Sequence, residues 1–361
     1  MINVIMDTLV FGLQRMGGVS VVWYQYINRM LNDKNVQLTL LDIQQGYINE
    51  DFINLDTKNA KHEMENNYNL QLLRNTNPVF DIPNQMSIFQ STYLRTCKRK
   101  NVKNVVMIHD ITHQLYFRGI KKWLNTVQKK RSITNADGII YVSENTKNDV
   151  EKLYPVSRKK KNVIIYNDAT NDYKCLKDIK IPERYKNISG KKYFIYVGDR
   201  FDYKNTNILF DVLIKVENMH CVLIGGRDFT ETEKDYFSDV KNRVHRFTRV
   251  PNQELNILYN AAHCMIFPSH YEGFGIPILE AMRAGCPVIA FKNSSIPEVL
   301  GGSGYLLEND DIESIVCSIE ELDNGDIRNA IISAQIEYSK RFSWEKSYEQ
   351  LISFYKEILT S

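Results

Sequence analysis

The sequence has few of the features that mark secreted, metal-binding or membrane-spanning proteins. Its six cysteines occur singly, with no C-x-x-C pair and no spacing typical of metal ligands. No run approaches the roughly 18 apolar residues of a membrane span, and the N-terminus, M-I-N-V-I-M-D, lacks a basic leader and a small-residue cleavage site. We therefore expect a protein of the reducing cytoplasm, for which any contact with a membrane would be peripheral.

Proline is also scarce, and long disordered segments are not expected. The chain has nine prolines, 43% hydrophobic residues and 25% charged residues, a composition typical of globular proteins. Its 361 residues exceed one ordinary domain. We expect two domains of roughly 150 to 200 residues each.

Positive charge is concentrated in the first half of the chain. Residues 1–190 contain 28 Lys and Arg against 18 Asp and Glu, a net charge of +10, whereas the remainder carries 18 against 25, or −7. Much of the excess lies within residues 95–161. It predicts an anionic partner, with ordinary solvated surface as the alternative. Nucleic acid is disfavoured because no recognised binding motif accompanies the charge, and an anionic membrane surface fits better.

One stretch, residues 269–287, combines two carboxylates with a glycine-hinged loop. Its sequence is S-H-Y-E-G-F-G-I-P-I-L-E-A-M-R-A-G-C-P, in which Glu280 follows Glu272 by eight positions. An apolar strand precedes it, so Glu272 is expected at the carboxyl end of a buried strand, where ligands of open α/β sheets bind. Pro277 suits the first position of a short helix that presents free amides to an anion. The alternative for Glu280 is a carboxylate that merely favours a helix start.

Another strand, residues 193–198, runs into D-R-F-D-Y-K-N and then a helix. Arg200 and Lys204 thus flank a helix N-terminus, where cations are unfavourable unless an anion binds. Two cations beside free amides predict capture of a diphosphate.

In the first half, Gly17 and Gly18 lie between a strand and a helix, a position that can seat an anion or simply form a turn. His109 follows the strand 102–108 and is well placed to enter a cleft. A half-buried structural histidine is the alternative.

The block H-Y-E-G-F-G-I-P-I-L-E-A-M-R-A-G-C-P-V-I-A resembles the donor site of family 4 of the retaining glycosyltransferases over twenty-one consecutive residues. The resemblance implies that Glu272 lies beside the transferred sugar, that Glu280 holds the ribose hydroxyls, and that His109 approaches the sugar. Lys204 matches the family's diphosphate-binding Gly-Arg…Lys-Asn block, but Arg200 stands one position later than the commonest form. The further donor-binding residues implied are Gly17, Gly18, Val250, Gly273, Phe274 and Gly275.

The family has the α/β fold called GT-B, with two facing Rossmann-like domains and an interdomain cleft. The resemblance and the alternating strand and helix pattern predict an acceptor-binding domain over 1–175, a nucleotide-sugar-binding domain over 190–342, and a final helix, 343–361, that returns to the first domain. Residues 44–77 are polar and rich in asparagine, and we assign them no structure.

The resemblance implies a hexosyltransferase that retains anomeric configuration and uses a UDP- or GDP-sugar, with a saccharide acceptor in surface polysaccharide assembly such as O-antigen or capsule. The acceptor's attachment to a lipid, and peripheral contact with the inner face of the cell membrane, are left open. No D-x-D occurs in the chain, so we expect no metal and no cofactor. The alternatives are a nucleotide-sugar epimerase and a non-catalytic GT-B subunit.

Overall fold

The computed structural model describes residues 1–65, 70, 74, 76–81, 83–308 and 310–361. It divides into two compact units: Met1–Asn167 with Trp344–Ser361, and Asp168–Ser343. The first unit therefore ends eight positions before the predicted boundary at 175. Residues 168–176 pack within the second unit, where the amides of Lys174 and Leu176 donate to the side chains of Asn256 and Asn260 at 3.0 and 2.8 Å.

The first unit contains a parallel sheet of seven described strands in the order β3-β2-β1-β4-β5-β6-β7. The inner strands are rich in apolar residues and mostly buried, as expected for strands covered on both faces. The strands are β1 (Ile2–Asp7), β2 (Val36–Ile43), β3 (Lys61–Glu65), β4 (Ser87–Gln90), β5 (Val102–Ile108), β6 (Gly138–Tyr141) and β7 (Lys161–Ile164).

Helices connect these strands, and one further helix comes from the C-terminus of the chain. Gly138 shows how closely that last helix packs: a Cβ at this position would come within 2.7 Å of Ile358 and 2.8 Å of Phe354. The helices are α1 (Leu9–Leu13), α2 (Gly18–Asn32), α3 (Glu50–Ile53), α4 (Thr112–Tyr116), α5 (Gly119–Asn135), α6 (Glu144–Leu153) and α14 (Trp344–Leu359).

The second unit has a parallel sheet of six described strands in the order β10-β9-β8-β11-β12-β13. The strands are β8 (Tyr193–Val197), β9 (His220–Ile224), β10 (Val244–Phe247), β11 (Cys264–Phe267), β12 (Val288–Phe291) and β13 (Tyr305–Leu307). The helices are α7 (Asn207–Lys215), α8 (Glu231–Tyr236), α9 (Asn252–Ala261), α10 (Ile276–Arg283), α11 (Ile296–Leu300), α12 (Ile312–Glu321) and α13 (Gly325–Ser339).

A well-packed core lies beneath the second sheet and fixes the carboxyl ends of its strands, from which the loops begin. Side chains from β8, β9 and β11 pack with α7 and α12, and Phe194, Phe210, Cys264 and Ile315 are fully buried there. Strands β8, β11 and β12 are neighbours in the sheet. The loops that follow these three strands therefore begin side by side.

The sequence left several elements unassigned. Within 44–77, the described residues contain α3 and the edge strand β3, while 66–69, 71–73 and 75 lie outside the described residues. Strand β3, K-H-E-M-E, is too charged to read as a buried strand, yet it pairs in parallel with β2. Helix α5 also received no assignment, because the side chains on its exposed face are apolar and those on its buried face are mostly polar.

Candidate functional site in the second unit and its counterpart in the first

Three loops meet at the carboxyl edge of the second sheet. They follow β8, β11 and β12 and span residues 198–206, 268–275 and 292–295. Backbone and side-chain hydrogen bonds join them: the His270 amide donates to the Tyr203 carbonyl at 2.8 Å, and the Glu272 amide donates to the Ser294 hydroxyl at 2.8 Å. Segments far apart in the chain thus form one surface.

Lys204 and Glu272 form an ion pair at the centre of this surface. The Lys204 Nζ lies 2.5 Å from Glu272 Oε1, and both side chains are largely buried. The ammonium also lies 5.2 Å from the centre of the Tyr203 ring, a cation–π distance. The pair joins the diphosphate-binding lysine and the sugar-side carboxylate predicted from separate motifs.

The glycine-hinged loop is held in shape by one serine. Gly275 has φ of 109°, a left-handed conformation that favours glycine, and caps α10. The buried hydroxyl of Ser295 lies 3.0 Å from the Glu272 carbonyl and 2.9 Å from the Phe274 carbonyl, so it can donate to either. The Phe274 ring is buried against Phe342. Phe274 therefore anchors the loop through its side chain.

Glu280 lies one turn into α10, where it is half-buried. The Tyr259 hydroxyl donates to its Oε2 at 3.2 Å, and Tyr173 is a second hydrogen-bond partner. Burial raises the pKa of the Glu280 carboxyl to about 7; the two tyrosines lower this pKa and Asp172 raises it. Near neutral pH, Glu280 is therefore divided between its protonated and ionised forms.

Arg200 is placed differently from Lys204. Its guanidinium is buried and pairs with Glu233 at 2.9 Å, donates to the Arg227 carbonyl at 2.6 Å, and stacks over Phe229 at 4.4 Å. Its Nη1 is buried and has no hydrogen-bond partner among the described residues. This nitrogen is therefore a buried donor whose hydrogen bond is unsatisfied among the described residues.

Val250 follows β10 and is buried. Arg249 before it has φ of 53°, an uncommon conformation for a residue with a side chain. The strained turn places both residues at the carboxyl end of β10, on the same edge as the other loops.

The first unit carries the other predicted residues. Gly17 caps α2, and a Cβ there would lie 2.8 Å from the side-chain oxygen of Gln14, the mobile end of a flexible side chain. Gly18 is the first residue of α2. Their position at a helix N-terminus agrees with both the anion-site and the turn hypotheses.

His109 lies at the end of β5 beside a pocket that is also lined by Gln14, Thr92, Asp110, His113 and Lys129. Burial lowers the pKa of His109 to about 4, so its ring is neutral at neutral pH. Its Nε2 is buried without a hydrogen-bond partner in the described part of the chain. A neutral ring with a free nitrogen can accept or donate one hydrogen bond.

A buried lysine in this pocket was not singled out from the sequence. Lys129 Nζ donates to the Asp110 carbonyl at 2.5 Å and to Gln114 at 3.0 Å, and burial lowers the pKa of Lys129. In the second unit, the sequence reasoning missed Glu233, Tyr259 and Ser294 as side-chain partners. No local signal identifies them, because each contact joins segments that are far apart in the chain.

Residues 178–337 match the model of a family described as Glycosyl transferases group 1. This region contains the predicted site residues of the second unit, from Arg200 and Lys204 to Glu272 and Glu280, whereas Asp172, Tyr173 and Phe342 lie outside it. Two relatives are O-antigen chain mannosyltransferases. The chain is 40% identical to O-antigen chain mannosyltransferase B of Escherichia coli over 108 residues, which are 30% of this chain and 28% of that protein. It is 27% identical to O-antigen chain mannosyltransferase RfbU of Salmonella typhimurium over 223 residues, 60% of each. The matches thus span less than two thirds of these relatives.

Solved structures resemble the chain along its whole length. Sucrose-phosphate synthase from Thermosynechococcus elongatus superposes with a TM-score of 0.75 at 14% identity, covering 100% of both chains. Anabaena HepE in complex with UDP-glucose gives 0.73 at 17% identity, covering 99% of this chain and 100% of that one. The predicted α/β fold of GT-B type, with two Rossmann-like domains, is confirmed. Within the described residues, no helix is both long enough and apolar enough to cross a membrane.

Proposed function

We propose that this protein is a retaining glycosyltransferase of family 4, which moves a hexosyl group from a nucleoside-diphosphate sugar to a saccharide hydroxyl. The observation that carries the proposal is the Lys204–Glu272 pair, with Glu280 eight residues further on, at one sheet edge inside the region that matches the family model. Ligands of parallel α/β sheets bind at this edge.

Glu280 would hold the nucleoside through its ribose. Ribose hydroxyls are hydrogen-bond donors, and an ionised carboxylate offers only acceptors. Tyr259 occupies one carboxylate oxygen and fixes the orientation of the group. Because the pKa of the Glu280 carboxyl is about 7, binding of a ribose would favour its ionised form. On average, less than one proton would be released for each ribose bound.

Lys204 would neutralise the leaving diphosphate, assisted by the amides of Gly273 to Gly275 and by the free Nη1 of Arg200. Developing negative charge on a leaving group is stabilised by positive groups that are already in position. Lys204 is held by Glu272, so it needs no large rearrangement to meet an anion. We propose that these groups make a divalent metal unnecessary.

Glu272 and His109 would contact the transferred sugar, as the resemblance implies. Glu272 is held by its ion pair and by the hydrogen bond from its amide to Ser294. The neutral His109 ring supplies a hydrogen-bonding nitrogen without charge. The relatives named above are O-antigen chain mannosyltransferases. We therefore propose that mannose is a hexose that this protein transfers, and that the acceptor is a growing surface polysaccharide.

The test is a transfer assay with a panel of UDP- and GDP-hexoses. Thermal shift first identifies the nucleotide that binds, since a ligand at 100 times its Kd adds about 2.7 kcal/mol of stability. Mass spectrometry then follows the addition of one hexose to an oligosaccharide acceptor, and proton NMR assigns the anomer of the first product. A changed sugar nucleotide formed without acceptor would indicate an epimerase, and an inverted anomer would exclude retention.

A further inference from the structure

Helix α5 exposes apolar side chains along one face. Ile120 is 76% exposed and Trp123 63%, and Leu124 and Val127 are each nearly half exposed. Their spacing of three and four residues places all four on one stripe of the helix. Single exposed apolar residues are common on protein surfaces, but four on one stripe form a contiguous patch of the kind that marks an interaction site.

The opposite face of α5 is buried and mostly polar. Its members Gln128 and Lys129 are tied to the rest of the first unit: the Gln128 amide donates to the Arg74 carbonyl at 2.8 Å, and Lys129 donates to Gln114. Asn125 accepts from Gln114 at 2.8 Å. These bonds fix the rotation of the helix, so the apolar stripe faces outward in the folded unit.

The charged residues of the segment that carries the stripe have a single sign. Residues 111–136 contain no Asp or Glu. Their exposed cations surround both ends of the stripe, in the first turns and the last turns of α5. These cations are Arg118, Lys121, Lys122, Lys130 and Arg131.

We propose that α5 is an interfacial helix that docks on an anionic lipid bilayer, with Ile120, Trp123, Leu124 and Val127 in the headgroup region. An apolar stripe bordered by Lys and Arg is the pattern of helices that lie in the plane of a membrane surface. Tryptophan favours this depth because its ring is apolar and its N–H is polar. The single charge sign selects an anionic bilayer over a second copy of this chain, since two such surfaces would repel each other.

This inference goes beyond the proposed function and does not rest on it, because docking requires neither donor nor acceptor. It places the first unit's surface at the membrane and leaves the catalytic assignments untouched. A failed transfer assay would therefore not decide it, and a failed vesicle assay would not decide the transferase proposal.

The test uses the full chain with vesicles of phosphatidylcholine containing 30% phosphatidylglycerol, and pure phosphatidylcholine for comparison. Of the three tryptophans, Trp23 and Trp344 are buried, so a change in emission reports mainly on Trp123. We expect a blue shift and protection from iodide quenching with the anionic vesicles. Because the attraction is screened beyond about 8 Å at physiological ionic strength, high salt should weaken binding.

Two double variants separate charge from insertion. Lys121→Gln with Lys122→Gln should lower the vesicle partition coefficient about tenfold to thirtyfold, since each cation near an anionic surface contributes on the order of 1 kcal/mol. Ile120→Asn with Val127→Asn should lower it at least tenfold while keeping Trp123 as a reporter. All four residues are exposed, so the melting temperature should change little.

Matched controls lie on the second unit. Ile214 is 50% exposed on α7, and Lys177 and Lys180 are exposed cations outside α5. Ile214→Asn and the pair Lys177→Gln with Lys180→Gln should bind vesicles like the wild type. Absence of a Trp123 shift, equal binding to neutral vesicles, or binding unaffected by Ile120→Asn with Val127→Asn would overturn the proposal. A dimer in solution that this double variant dissociates, without vesicle binding, would assign the stripe to a second copy instead.

Discussion

Glu272 and Glu280 have different surroundings although they lie on one short segment. Glu272 is balanced by the ammonium of Lys204, whereas Glu280 is in contact with tyrosine hydroxyls and has a raised pKa. The Glu272 carboxylate therefore lies beside a positive charge, whereas the Glu280 carboxylate can accept further hydrogen bonds from a ligand. This difference supports separate roles at the sugar and at the ribose.

We expect Glu280→Gln to weaken binding of the free nucleoside diphosphate. A hydrogen bond to a charged acceptor is worth roughly 1.5 to 3 kcal/mol, or about 10- to 150-fold in affinity. Glu272→Gln should retain nucleotide affinity and lose turnover, because its proposed partner is the sugar. Isothermal titration calorimetry with UDP and GDP measures both variants; wild-type affinity in Glu280→Gln would remove the ribose assignment.

Glu280 should also make stability depend on pH. Its folded-state pKa of about 7 is above the ordinary value of 4.5, so the folded state binds the proton more tightly than the unfolded state. This contribution to stability is present below about pH 4.5 and is lost as pH rises through 7. Glu280→Gln should therefore gain melting temperature relative to wild type, by several degrees, between pH 5 and pH 8. Differential scanning calorimetry at the two pH values measures this gain, and an unchanged difference between the two proteins would contradict it.

Lys204→Ala should reduce turnover on the order of a hundredfold or more, since one electrostatic donor at a developing oxyanion is worth roughly 3 to 4 kcal/mol. EDTA should leave the wild-type rate nearly unchanged. Lys215, an exposed lysine on α7, is the control position for the alanine substitution. Activity abolished by chelation and restored by magnesium or manganese would require the diphosphate roles of Lys204 and Arg200 to be withdrawn.

At the scale of elements, the site depends on how the loop after β12 supports the loop after β11. Ser295 is fully buried and its hydroxyl reaches two carbonyls of the Glu272 to Phe274 segment. Glu272 is thus positioned by a segment more than twenty residues away in the chain. Sequence motifs show both loops but not the hydrogen bonds between them.

Ser295→Ala should cost about 1 to 3 kcal/mol of unfolding free energy, because it leaves buried carbonyls without their hydrogen-bond donor. Turnover should fall as well, since the Glu272 loop loses its support. Ser333→Ala, on the exposed surface of α13, should stay within about 0.5 kcal/mol of wild type. Urea denaturation measures the stabilities; equal effects of the two substitutions would show that Ser295 does not hold the loop.

At the scale of the whole molecule, the chain's last helix belongs to its first unit. Helix α14 buries Trp344, Leu351, Tyr355 and Ile358 in that unit. Each large apolar side chain that becomes fully buried contributes about 1.5 to 3 kcal/mol. The sum is comparable to the stability of an entire domain, about 5 to 15 kcal/mol.

Deleting residues 344–361 should therefore unfold the first unit and leave the second unit folded. Limited proteolysis with mass spectrometry would show cuts within 1–167 and protection within 168–343. Nucleoside diphosphate should still bind to the truncated chain, because the proposed diphosphate and ribose groups all lie in the second unit. Uniform protection after truncation would show that α14 is dispensable for the first unit.

Most strands of both sheets could be predicted because strands buried on both faces are continuous apolar runs bounded by glycine or polar turns. Strand β3 could not, because its charged side chains are compatible with an edge position only when β2 lies beside it. Helix α5 was not predicted from the sequence for a related reason. Its buried face is stabilised by hydrogen bonds to α4 and to the Arg74 carbonyl, contacts that no periodicity predicts.

The sequence by itself determined the α/β class, the order of most elements and the positions of Glu272, Glu280 and Lys204, because these depend on apolar patterns and on a continuous motif. Only the tertiary structure decided that Lys204 pairs with Glu272, that Arg200 is buried against Glu233, and that Tyr259 reaches Glu280. These contacts join residues 21 to 68 positions apart in the chain. Local patterns contain no information on such pairs, which form only when the packing of strands and helices brings distant segments together.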